Sequence, residues 1–83
     1  MNRLLIYQYI NKIKKEDIRK YSLTQNINLT DNELDIIYDY IKNKASIVIN
    51  NPEKIFDEIR DKISIPVYNK IMELYNKYKD FIN

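Results

Sequence analysis

Not one of the 83 residues is glycine. Every chain reversal must therefore be made by a residue that carries a Cβ. Left-handed backbone then falls to the side chain that best tolerates it, asparagine. The same absence excludes phosphate-cradling loops of the Walker and Rossmann type, whose backbones approach a ligand where only glycine leaves room. Histidine and cysteine are missing too. The commonest general base and metal ligand is gone, zinc sites of nitrogen and sulfur are excluded, and no disulfide or thiolate chemistry is available.

What remains is apolar periodicity, and it is helical. Leu5, Ile6, Tyr9, Ile10 and Ile13 make one stripe and predict a helix over 2–13. A second helix is expected over 15–25, with Ile18, Tyr21 and Leu23 turned inward. No breaker interrupts "KIKKED" between them, but the apolar phase shifts after Ile13, and a bend is expected there. Asn26 is the expected stop of the second helix, in the left-handed conformation. Thr30 and Glu33 then form a capping box, and a helix over 31–44 follows, with Leu34, Ile37, Tyr38 and Ile41 on its inner face. "ASIVINN" (45–51) reads as a connector. Its β-branched run Ile47–Ile49 is a candidate for a small β-bridge with residues 27–29. Asn51-Pro52 starts a helix over 52–63, carrying Ile55, Phe56, Ile59 and Ile63 on one face. Ser64-Ile65-Pro66 breaks it from a last helix over 66–82, whose stripe is Val67, Ile71, Leu74, Tyr78 and Phe81.

The fold class this predicts is all-α: a compact orthogonal four- to five-helix bundle, one domain over 1–83, with the 27–29/47–49 bridge as an optional addition. A chain of this length buries a modest core and has a stability of only a few kcal/mol unless a partner adds buried surface. "LLIYQYI" is too short for a membrane span, which needs about 20 residues, and lacks the small-residue site that follows a signal peptide. With no cysteine, a cytoplasmic location is expected.

The net charge of +2 is unevenly spread. Residues 1–20 hold Arg3, Lys12, Lys14, Lys15, Arg19 and Lys20 against Glu16 and Asp17. Residues 21–44 hold Asp31, Glu33, Asp35 and Asp39 against Lys42 and Lys44. The helix–turn–helix proportions of 16–44 raise a nucleic-acid reading, in which the first turns of the second helix face DNA. Those turns carry carboxylates, which a polyanion repels, so the 31–44 helix reads as a packing element. The basic cluster Lys12, Lys15, Arg19 and Lys20, with tyrosines interleaved, is the better candidate for a polyanion. A solvated face paired with nearby acids explains it more simply.

Two further constellations carry no chemistry. The alternating Asn26, Asn28, Thr30 and Asn32 imitate a calcium loop, but the positions that need glycine and a bidentate glutamate hold Asp31 and Ile37. Asp57, Glu58 and Asp61 lie on one helical turn beside Arg60 and Lys62, unlike carboxylates held across a cleft. No enzyme activity, cofactor or metal is expected. The tyrosines of the last helix remain. Tyr68, Tyr75 and Ile82 flank its stripe at seven-residue spacing and form a candidate protein interface, for a second copy or another helix.

With its elements in order, the chain resembles a family of short all-helical proteins of unknown function from low-GC Gram-positive bacteria. The resemblance rests on "EDIRKYSLTQNINLTDNELDII", on "NKASIVINNPEKIFDEI", and on the Ser-x-Pro break before a last helix rich in Leu, Tyr and Phe. It covers about residues 15–82. The family usually has glycine in the turn and connector, where this chain has asparagine or other residues. The resemblance implies a helical fold and carries no catalytic residue over. The functional expectation is a non-enzymatic protein–protein interaction module, homodimeric through the last helix; the alternative is weak nucleic-acid binding through the basic cluster.

Overall fold

The first turn of the third helix decides how the chain is assembled. The computed structural model describes residues 3–82, without the side chains of 3, 78 and 80–82. Six helices follow in order: α1 Arg3–Lys12, α2 Lys15–Thr24, α3 Asp31–Asn43, α4 Ala45–Asn50, α5 Pro52–Ile59 and α6 Ile65–Ile82. No strand occurs among the described residues, and the fold is all-α.

Local sequence dictates most of the boundaries. The α1–α2 break falls at Ile13 and Lys14, where the apolar phase shifts. Helix α2 starts with the Lys14 N–H donating to Asp17 Oδ2 at 2.9 Å. It ends in a Schellman motif: the Ile27 N–H donates to the Ser22 carbonyl at 2.9 Å and the Asn26 N–H to that of Leu23 at 3.1 Å. Asn26 sits at φ 60°, the role expected of it in a chain without glycine. The capping box of α3 is complete, with Glu33 N–H to Thr30 Oγ1 and Thr30 N–H to Glu33 Oε1 both at 3.1 Å. Pro52 opens α5, although the Asn51 side chain makes no cap hydrogen bond.

Glu33 does more than cap its own helix. Its second oxygen, Oε2, accepts the Ser64 N–H at 2.8 Å, at the start of α6. One buried carboxylate thus satisfies orphan amides at two helix starts, where helix dipoles favour negative charge. Burial pushes the Glu33 carboxyl up, but the hydrogen bonds from Ser64 and Thr30 outweigh it and hold the group below its ordinary value of 4.5.

Helix α3 is the hub, in contact with α1, α2 and α4. The core runs through Leu29, Leu34, Tyr40, Ile55, Ile59, Ile63 and Val67. Lys42 reaches from α3 to the carbonyls of Ile10 and Asn11, at 2.9 and 2.8 Å, and so caps the end of α1.

Four expectations need correction. Residues 45–50 are a helix, and the 27–29/47–49 bridge does not form. β-Branched residues lose only a few tenths of a kcal/mol each in a helix, and burying Ile49, with Ile47 and Val48 half-buried beside it, outweighs that. Second, Tyr40 and not Tyr38 is the buried tyrosine of α3. Its hydroxyl accepts from Lys62 Nζ at 3.0 Å, and the ammonium groups of Lys44 and Lys62 lie 4.6 and 5.3 Å from its ring centroid. Third, α5 ends at Ile59, and a turn over 60–63 brings Ile63 into the core. Fourth, Leu5, Tyr9, Tyr21 and Leu23 are exposed; α2 turns Ile18 inward as expected, joined by Ser22 in place of Tyr21 and Leu23. Tyr78 and Phe81 of the α6 stripe lie outside the described side chains.

Candidate functional site

The basic cluster is divided by the fold. Lys15 Nζ lies 2.7 Å from Asp35 Oδ1. Arg19 donates to Asp31 Oδ1 at 2.8 Å and to the Leu29 carbonyl at 3.0 Å. These two cations tie α2 to α3 and its approach loop, and the acids of α3 that would repel a polyanion are the partners they use. The Lys15 ammonium is held above its ordinary range by the hydrogen bond and charge of Asp35. Lys12 and Lys20 are different. Both are exposed, and they flank a shallow depression with Tyr9, Ile13 and Asp17.

The candidate interface on α6 faces its own domain. Tyr68 packs against the core, with the Arg60 guanidinium 5.7 Å from its ring centroid. Tyr75 meets Phe56 edge-on at 5.0 Å. Burial pushes its hydroxyl pKa up, and the neighbouring Glu53 adds to the shift. The Ile82 side chain lies outside the described residues. Two of the carboxylates of 57–61 face cations, Asp57 with Arg60 and Glu58 with Lys44, each at 3.5 Å.

An apolar concavity that the sequence did not announce lies beside the basic cluster. A slot of about 360 Å³ opens between α1, α2, α3 and α6, walled by Ile13, Ile18, Ile27, Ile37, Ile71 and Leu74. A second lobe of about 340 Å³ lies on the α5 side and is floored by Phe56 and Tyr75. Ile37, Ile41, Ile71 and Leu74 line both lobes, so the slot flanks the line where α6 meets α3. Its few polar walls include Ser22, whose hydroxyl already donates to the Arg19 carbonyl at 2.7 Å. Both volumes fall within the range of about 300–1,000 Å³ typical of small-molecule sites.

Tyr9 and Tyr21 stand at the mouth of this slot, 66% and 49% exposed. Leu5, one turn before Tyr9, is 57% exposed. A signal for this face was present in the sequence. Residues 4–13 carry seven large apolar side chains, more than one stripe of a ten-residue helix can bury.

Among the described residues, no helix is long and apolar enough to cross a membrane, and no group of three or more acids is placed to hold a metal ion. No family model, curated protein or solved structure matches the chain.

Proposed function

We propose that this chain is a non-enzymatic, cytoplasmic interaction module that pairs with a second copy of itself through the α1–α2 face. The exposed Leu5, Tyr9 and Tyr21 beside an apolar slot carry this reading. Surface area supports it. The chain exposes 5830 Å², whereas a monomer of 10.1 kDa is expected to expose about 5,300 Å². The excess of roughly 500 Å² is on the scale of what one partner gives to a small interface, under about 1,200 Å² in total. The resemblance to the short all-helical family belongs to the same proposal, as a shared scaffold for such contacts. The contacts of Tyr68 and Tyr75 with their own domain favour the α1–α2 face over α6. The nucleic-acid alternative needs Lys15 and Arg19 to leave the carboxylates of α3, a cost that self-association does not carry.

Light scattering on the purified chain tests the proposal. A dimer is expected at high micromolar concentration, and Leu5→Glu with Tyr9→Glu gives a folded monomer by circular dichroism. A wild-type chain that stays monomeric, or a double variant that stays dimeric, rejects it.

A further inference from the structure

We propose that the slot between α3 and α6 binds the alkyl chain of a single-chain fatty carboxylate, with the head group between Lys12 and Lys20. Three observations converge. The slot wall is built from isoleucine and leucine, and such a cavity offers water few partners and favours an apolar guest. The depression holding Lys12 and Lys20 adjoins the slot, because Tyr9, Ile13 and Asp17 line both. Unlike Lys15 and Arg19, Lys12 and Lys20 have no charge partner among the described residues.

The geometry points to this class of occupant. An apolar tail fits a slot of about 360 Å³, whereas one turn of a partner helix, about 10 Å across with its side chains and about 5.4 Å long, takes up roughly 420 Å³. Two ammonium groups at the mouth, without a charge partner among the described residues, select an anionic head. Asp17 is the carboxylate at that rim, and its Oδ2 already accepts the Lys14 N–H. The site is formed within one chain, and because Tyr9 and Tyr21 at its mouth also belong to the proposed pairing face, binding is expected in the monomer and competes with self-association.

Dodecanoate, titrated below its micelle concentration and followed by amide NMR and by displacement of a dansylated undecanoate, tests the proposal. Saturable binding is expected, with shifts at Ile13, Ile18, Ile71 and Leu74. Lys12→Glu with Lys20→Glu changes exposed residues only. It is expected to weaken dodecanoate by about tenfold, the loss of roughly one favourable ionic contact, and to leave dodecanol unaffected. Ile18→Trp, which fills the slot, weakens both. Dodecyltrimethylammonium binding as tightly as dodecanoate, shifts confined to residues away from the slot, or unchanged binding by the charge-reversed protein each overturn the proposal. So does displacement of the probe by an acidic amphipathic peptide but not by dodecanoate, which makes the occupant a protein segment.

Discussion

Two ends of this small bundle are finished to different standards. Where α3, α5 and α6 begin or end together, Leu29, Leu34, Ile59, Ile63 and Val67 are each at most 9% exposed, and Glu33 ties the helix starts from below. Toward α1, α2 and the middle of α6, Ile13, Ile18, Ile37, Ile41, Ile71 and Leu74 are only half-buried, and the slot lies among them. The residue types are the same at both ends. What differs is polar anchoring: the tight end has a buried carboxylate shared by two helices, and the open end is joined mainly by surface ion pairs. Hydrophobic residues supply attraction without direction, and in this protein hydrogen bonds at helix ends decide where packing becomes close.

Truncating one isoleucine at each end is the strongest way to break that contrast. Ile59→Ala is expected to cost about 3–4 kcal/mol, as for a buried aliphatic side chain. Ile71→Ala is expected to cost about 1–1.5 kcal/mol, because less area is withdrawn from burial. Urea unfolding followed by circular dichroism measures both, and equal losses refute a two-standard core. Glu33→Ala comes next, at about 2–3 kcal/mol, since it leaves the Thr30 and Ser64 amides without their acceptor.

Acid acts on the same group. The folded-state value of Glu33 lies below that of the unfolded chain, so its stabilisation is full above about pH 4.5 and is lost as the pH falls through the lower, folded value. Glu33→Gln removes this part of the acid sensitivity, and urea midpoints taken at pH 3 and pH 7 detect the change. Overpacking sharpens the comparison further. Ile55→Phe, at a site 5% exposed, is expected to cost about 1–3 kcal/mol. Leu74→Phe has room to extend into the slot and is expected to be neutral or to stabilise by up to about 1 kcal/mol. The smallest effect belongs to the turn. Asn26→Gly relieves the residual strain at φ 60° and is expected to stabilise by about 0.5 kcal/mol.

The parts of this fold that were legible in the sequence are those fixed within a few residues. Asn26, the Thr30–Glu33 box, Pro52 and the Ile55–Ile59 step each follow from local geometry, and the structure has them in those roles. Helix α4 was illegible because its β-branched run favours strand locally, and only contact with the core makes it helical. The inward-turned Tyr40 finds the partner of its hydroxyl in Lys62, twenty-two residues away. The slot is the hardest case. Its wall residues are ordinary stripe positions, and nothing along the chain says that two stripes will stop short of closing on each other. The candidate basic residues were identifiable by charge alone, but their division into paired and free depended on where α3 placed Asp31 and Asp35.

The double engagement of Glu33 has a kinetic corollary. Residues 30 and 64 are far apart in sequence, yet the protection of their amides against exchange with solvent rests on a single proton-accepting side chain. Protonating that side chain frays the starts of α3 and α6 in concert, so the first loosening of the molecule in acid is a paired event at two distant points of the chain.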